Sequence, residues 1–288
     1  MRGGEVERLV QAFLAKYRTS QSGWARGSCP FCVKRLGKPD RRGSFGVFSM
    51  TGRYNCFRCG ASGRARLPGT APEAADERVE EPSPIAVRPP EGFVALSSED
   101  GQEAHCLEPA RRYIESRGVP APLVEEIGIG ACPTGRYSGR VVVPVKDEDG
   151  QWLWWVGRAW RKQSEKPYMY PAGARGDVMF NHATLLKETD TPAIIVEGVF
   201  DAIAFWPDAV AVLGKPTPAQ VYALASARRP IAVVLDGDAW EEGEMLALKL
   251  RFEGQRAGSV HLPPRVDPDE VDRDWLRAEA RSSLGASQ

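Results

Sequence analysis

Two acid-tipped runs could carry chemistry. Residues 193–201, AIIVEGVFD, contain Glu197 and Asp201, and residues 231–238, IAVVLDGD, end in Asp236 and Asp238. A helix starting at Gly198 would turn Asp201 back towards Glu197. Carboxylates gathered at one place repel one another, so a hard cation such as Mg2+ is their natural companion. The later stretch LPPRVDPDE, residues 262–270, adds Asp267 and Asp269. Any one of these acids could equally cap a helix. Several ending successive strands point to a metal site.

A second set is made of cysteines. Cys29 and Cys32 form one C-x2-C knuckle, and Cys56 and Cys59 form another after 23 intervening residues. Each knuckle presents two sulfurs from one tight turn, so the four suit one tetrahedral structural zinc. A disulfide pair is the alternative, and reducing conditions disfavour it.

The elements that must position these groups follow from the pattern. From residue 193 onward, apolar β-branched runs alternate with helical segments: strands at 193–197, 209–213, 231–236 and 258–262, helices at 198–205, 217–228 and 240–256. This is a βαβ succession with a parallel sheet, and the acids would emerge at its carboxyl edge, where open α/β folds place ligands. Between the knuckles, SFGVF (44–48) and GRYNCF (52–57) read as ribbon strands, preceded by an amphipathic helix over 4–17. The region 139–160 reads as a hairpin about Glu148-Asp149-Gly150, following helices at 108–116 and 122–127. Its tryptophans at 152, 154, 155 and 160 are read as sheet core rather than binding platforms. Residues 61–92, rich in Ala, Gly, Pro and Glu, read as a disordered linker that would let the ribbon swing as a mobile reader.

Total charge excludes little, because 38 basic and 38 acidic residues cancel. Its distribution is uneven: residues 1–66 carry a net +11 and residues 67–100 a net −6. In the ribbon, Arg35, Lys38, Arg41, Arg42, Arg53 and Arg58 lie among Phe45, Phe48, Tyr54 and Phe57. Cations interleaved with rings suit single-stranded nucleic acid, although a ribbon this small also needs rings for its own core. Arg140, Arg158 and Lys166, with Tyr168, could converge as a phosphate clamp or remain solvated surface charge. The start lacks a signal-peptide run and no segment is apolar enough to span a membrane, so a cytoplasmic location is expected, in a bacterium or a phage-infected host.

The order of motifs supports a resemblance. Glu197-Gly198-x-x-Asp201 followed by Asp236-Gly237-Asp238 resembles the Toprim signature of DnaG-type primases, topoisomerases and some nucleases. The run Gly139-Arg140-VVV-Pro144, then Gly157-Arg158 and Lys166-Pro-Tyr168, resembles the basic motif that precedes Toprim in DnaG-type primases. Residues 110–130 are similar to their helical lead-in, 262–270 to their third acidic motif, and the ribbon to their zinc-binding domain. Three departures stand out. Cys32 occupies a knuckle position where many bacterial members carry histidine, as in phage primase-helicases with four-cysteine ribbons. Ala239-Trp240-Glu241-Glu242 follows the DGD where relatives usually show Ala-Gly, and Lys215 sits where a small or hydroxyl residue is more usual. No P-loop appears, and with 18 residues after Glu270 no helicase-binding domain is expected.

The resemblance implies an α/β Toprim domain with a preceding mixed α+β basic subdomain and a small N-terminal β zinc ribbon. The expected division is a ribbon over 1–66, a flexible acidic linker over 67–104, a basic subdomain over 105–190 and Toprim over 191–288. It implies a stand-alone, phage-like DNA primase, a nucleotidyltransferase making short RNA primers de novo for replication. Its partners would be single-stranded DNA template, ribonucleoside triphosphates, the RNA primer and a separate replicative helicase. Catalytic Glu197, Asp201, Asp236 and Asp238 would work with two or more Mg2+ or Mn2+ ions, held by Glu197, Asp236, Asp238, Asp267 and Asp269. Whether Asp201 is a ligand or orients Glu197 stays open. One structural Zn2+ would sit on the cysteines, and Arg140, Arg158, Lys166 and Tyr168 would bind nucleotide or template. The rival readings are a Toprim nuclease and a non-catalytic, zinc-dependent single-strand-binding replication protein.

Overall fold

The computed structural model describes residues 3–20, 23–67, 87–98, 101–161, 164–172 and 177–285. The amino-terminal part is a helix, α1 (Gly3–Lys16), followed by a ribbon of β1 (Trp24–Gly27), α2 (Cys32–Leu36), β2 (Phe45–Phe48), β3 (Arg53–Cys56) and β4 (Ser62–Arg64). The strands pair antiparallel in the order β1-β2-β3-β4. Val10 and Phe13 of α1 close over Phe31, Phe45, Tyr54 and the four cysteines, forming the ribbon's own core. The two strands expected from sequence are present, and the flanking strands β1 (WARG) and β4 (SGR) carry no apolar alternation that would mark them.

The second sheet is antiparallel, in the order β5-β6-β7-β8-β9. Its strands are β5 (Val94–Ala95), then, after helices α3 (Gly101–Ser116) and α4 (Ala121–Ile127), β6 (Gly130–Cys132), β7 (Arg140–Lys146), β8 (Trp152–Ala159) and β9 (Tyr168–Met169). The β7–β8 turn is fixed by Asp147, whose Oδ1 accepts from the N–H groups of Asp149 and Gln151. Side chains alternate across β7 as a pleated strand requires. Val141, Val143 and Val145 join the main core, whereas Val142 packs with Trp155 and Cys132 on the other face. Trp154 and Trp155 are buried, as a core role demands. Helix α3 starts seven residues before the expected 108, with Pro109 accommodated inside it. Part of the span expected as linker, 67–104, is therefore built: β5 pairs with β6, and α3 begins at Gly101. Residues 68–86 of that span lie outside the described residues.

The third sheet is parallel throughout, in the order β11-β10-β12-β13. It is built from β10 (Ala193–Val196), α5 (Val199–Ala204), β11 (Ala209–Ala211), α6 (Pro218–Ala225), β12 (Ile231–Val233), α7 (Trp240–Phe252), β13 (Ala257–Ser259) and α8 (Arg273–Ser282). Every residue of β10, β11 and β12 is buried, which is why these strands read as unbroken apolar runs. Thr217 and Gln220 form a capping box that starts α6 with Pro218 at its first position. Asp272 caps α8, whose Leu276 and Ala280 pack into the core. One buried cluster runs from Val141, Val143 and Trp154 of the antiparallel sheet to Ile194, Val196 and Phe200 of the parallel one, so the two sheets share a core.

The ribbon is packed on this body rather than held apart from it. Trp24 is 2% exposed and joins Phe48, Leu224 and Leu246 in a second core cluster. Its indole N–H donates to the Glu253 carbonyl at 3.2 Å. Arg26 donates to the carbonyls of Ser226 and Ala227, and Arg53 pairs with Glu253 while lying over the Tyr222 ring. Arg42 and Arg58 reach Glu148 and Asp149 in the β7–β8 turn. The expectation of a swinging module rested on linker composition, and composition does not register a buried tryptophan and shared ion pairs.

Candidate functional site

The four cysteines are buried, and their sulfurs all lie within 4.8 Å of one another. Cys29 and Cys59 are 3.7 Å apart, and Cys32 and Cys56 3.8 Å. An ion about 2.3 Å from four tetrahedral sulfurs sets their mutual distance at about 3.8 Å, so the cluster matches a structural zinc site. The sulfurs also accept backbone hydrogen bonds, Cys29 from Phe31 N–H and Cys56 from Cys59 N–H. Hydrogen bonding among the crowded sulfurs, with burial added, holds the Cys29 and Cys56 thiols well above the usual range. Metal binding must therefore displace protons. Asp40, which no spacing marks, anchors the first knuckle by accepting from the N–H groups of Cys29, Arg42 and Ser44.

Three of the ribbon's four aromatic side chains proposed for stacking are spent internally. Phe45 and Tyr54 are in the ribbon core, and Phe48 is buried against the parallel sheet's helices. Phe57 is partly buried at the same contact. A domain this small has few apolar groups with which to build a core, so its rings are drawn into it. Of its cations, Lys38 and Arg41 are exposed, whereas Arg42, Arg53 and Arg58 are engaged with the body.

The acids stand at the carboxyl edge of the parallel sheet. Glu197 follows β10, and its carbonyl accepts from Leu213 N–H at 3.0 Å. Gly198 opens α5, and the Asp201 carboxylate folds against its α-carbon, where any side chain would collide with it. Asp236 ends the run from β12, and the 3-10 turn Gly237–Ala239 carries Asp238 outwards. Asp238 Oδ1 accepts from Arg265 N–H at 3.2 Å, which ties it to the third acidic stretch. There Asp267 and Glu270 form a capping box about a 3-10 turn, and Asp269 pairs with Arg117 at 2.5 Å. Arg117 also lies over the Phe200 ring. Sequence reasoning missed Arg117, whose place at the end of α3 gives no local sign of a partner 152 residues away.

Electrostatics link these groups. Burial, with the charges of Asp269, Asp236 and Asp267, pushes Asp201 up to about 7. Burial and the charges of Asp267, Glu197 and Asp269 push Asp236 up to about 6. Burial raises Asp267 as well, with Glu270 and Asp269 adding to it. The acids thus form one field of negative charge that Arg117 offsets only at its Asp269 end, and oxygen donors in such a field fit a hard divalent cation. Among the described residues only the cysteines bring three or more ligand atoms within 4.8 Å of one another, so the acid oxygens are spread more widely than the sulfurs.

The basic residues line the neighbouring sheet edge. Arg158 and Tyr168 are cross-strand partners on β8 and β9, and the guanidinium lies 4.3 Å from the ring centroid. Tyr168 and Tyr170 are nearly parallel, 6° between planes, and both rings are exposed. Burial raises the Tyr168 phenol, Arg158 and Arg117 oppose that, and Asp201 adds to it, so Tyr168 lies within electrostatic reach of Asp201. Arg140 donates to the Lys166 carbonyl at 2.8 Å, while the Lys166 side chain stands in solvent. Arg158 and Tyr168 are therefore brought together by strand pairing, whereas Arg140, paired with Ala159 and lying over Gly157, is on the other face of the sheet and meets Lys166 only through its backbone.

No known protein-family profile matches the chain. It is similar to the DNA primase of Lactococcus lactis, 22% identical over 342 residues that cover 93% of this chain and 51% of the relative. The DNA primase of Thermotoga maritima is 24% identical over 308 residues, covering 85% and 54%. The chain thus spans about half the length of the curated relatives it matches. Among solved structures, the Aquifex aeolicus primase with zinc-binding and RNA polymerase domains superposes with a TM-score of 0.51 at 20% identity, covering 99% of this chain and 85% of that one. The DnaG primase catalytic domain bound to ssDNA gives a TM-score of 0.54 at 22% identity, covering 65% and 73%. Among the described residues no helix is long and apolar enough to cross a membrane. From ribbon to parallel sheet, the chain is similar in sequence to bacterial DNA primases and in fold to the solved DnaG-type primase structures.

Proposed function

We propose that the chain is a DNA primase, a DNA-templated RNA polymerase that makes short RNA primers de novo on single-stranded DNA. The observation that carries this is the juxtaposition of the acid field around Asp201 and Asp236 with the Arg158–Tyr168 edge. A metal site alone would serve many reactions. A metal site facing cations and exposed rings handles nucleotides.

In this reading Glu197, Asp236 and Asp238 hold Mg2+ or Mn2+, with Asp267 assisting and Asp269 kept in place by Arg117. The ions supply charge neutralisation for attack of a 3′-hydroxyl on an α-phosphate and for the departing pyrophosphate. Asp201, lying against Gly198 beside Glu197, keeps the local field negative and orients that glutamate. Arg158 and Lys166 bind template or nucleotide phosphates, Arg140 holds the backbone at Lys166, and Tyr168 offers a face to a base. The ribbon, with Lys38 and Arg41 in solvent, contacts the template backbone. A separate replicative helicase would deliver the single strand.

The test is primer synthesis by the zinc-loaded chain on varied single-stranded templates, with ribonucleotides and Mg2+ or Mn2+. Labelled RNA products of defined length are expected. Their absence across templates, or shortening of labelled DNA without added nucleotides, would overturn the polymerase assignment, the latter in favour of a nuclease.

A further inference from the structure

Trp240, the first residue of α7, stands two residues beyond Asp238 and is 46% exposed. Its ring does not float in solvent. The His261 ring, just beyond β13, lies 5.3 Å away at 52° to it. His261 is held in turn by Glu244, with Nε2 to Oε1 at 2.8 Å. Two elements thus fix the orientation of an indole that keeps nearly half of its surface open.

The placement of that open ring follows from the sheet. β12 delivers Asp236 and Asp238, and β13 is the edge strand beside it, so Trp240 and His261 border the acids on the β13 side. The Arg158–Tyr168 edge approaches the acids from Asp201, which belongs to the β10 side. Only Ala239 separates Asp238 from Trp240, so the open indole follows the acid loop directly along the chain. The loop to Trp240 is also rigid, since Gly237 N–H donates to Val266 at 3.0 Å and Asp238 accepts from Arg265.

We propose that Trp240, oriented by His261 and Glu244, is the stacking platform for the base of a nucleoside triphosphate whose phosphates are held at the Asp236–Asp238 loop. This rests on the polymerase reading above and adds to it a binding residue in the Ala239-Trp240-Glu241 stretch. An indole face takes any base and takes the larger purine rings best. The platform therefore biases the site towards purine nucleotides without reading their hydrogen-bonding edges.

Calorimetric binding of Mg2+-ATP and Mg2+-CTP to the full chain tests this with Trp240→Leu, Trp240→Phe and His261→Ala. Removing one base-stacking ring weakens binding by about tenfold. That loss is expected for ATP with the Leu variant, a smaller one for CTP, near-recovery with Phe, and an intermediate loss with His261→Ala, which leaves the indole unoriented. Binding of Mg2+ alone should be the same in all four proteins, and in primer synthesis the Leu variant should raise KM while sparing kcat. A Leu variant that binds ATP as wild type does overturns the proposal. So does parallel loss of Mg2+ binding, which would make the indole a support for the acid loop. A wild-type chain that binds neither nucleotide overturns the polymerase reading itself.

Discussion

The α-carbon of Gly237 lies against the backbone carbonyl of Pro263, so closely that a methyl group there would overlap the carbonyl oxygen. The same glycine donates its N–H to Val266 at 3.0 Å. The middle residue of Asp236-Gly237-Asp238 is thus what lets the third acidic stretch close over the second. Gly237→Ala should push the 263–266 loop away, lower the melting temperature by several degrees and abolish synthesis. Thermal unfolding and primer assays check both effects.

Gly198 makes the informative contrast. A methyl there meets the Asp201 carboxylate, the mobile end of a side chain, rather than backbone. Gly198→Ala should therefore swing Asp201 aside with little change in melting temperature, while primer synthesis falls at least tenfold. Equal destabilisation of the two alanine variants would contradict this difference between a movable and an immovable neighbour.

Raised carboxylate pKa values make stability depend on pH and metal together. Asp201 at about 7 and Asp236 at about 6 hold protons more tightly when folded than when unfolded. Their contribution is full below about pH 4, the usual aspartate range, and is lost as pH rises through 6 and 7. A divalent cation bound at the acids offsets that loss. The increase in melting temperature on adding Mg2+ to chelator-treated, zinc-retaining protein should be larger at pH 8 than at pH 5.5. In Asp201→Asn the difference between the two pH values should shrink.

Zinc loss should reach beyond the ribbon. Cys56→Ser removes one of four ligands, and the ribbon's core is built on those ligands. Because Trp24 and Phe48 are shared with Leu224 and Leu246, unseating the ribbon uncovers apolar surface on α6 and α7. Zinc content should fall, the melting temperature should drop, and dye binding to exposed apolar surface should rise, while Mg2+ binding at the acids persists. Trp24→Ala should reproduce the exposed surface with zinc retained, at a cost of about 3–5 kcal/mol for removing a buried tryptophan.

Chemistry and structure should separate at Asp236. Asp236→Asn keeps shape and removes charge at a site where burial already disfavours the carboxylate. Synthesis should stop while single-stranded DNA binding, measured by fluorescence anisotropy, stays within about threefold, because binding rests on phosphate-neutralising cations. DNA binding lost in step with synthesis would assign Asp236 to structure.

What the sequence determined by itself is local or periodic. The four cysteines are legible because each knuckle needs only a tight turn, and the buried parallel strands are legible because burial on both faces leaves unbroken apolar runs. The acids at 197, 201, 236 and 238 follow, since a parallel sheet has one carboxyl edge. The tertiary structure alone decided matters that depend on residues far apart in the chain. It spent the ribbon's rings on its core, seated Trp24 under α6 and α7, and paired Asp269 with Arg117 across 152 residues. It also turned Trp240 onto His261, giving the departure after the DGD a fixed and open face. These contacts carry no period and no spacing rule. They arise when apolar surface and opposite charges from separate elements find each other in the folded chain, and only there do they acquire energy.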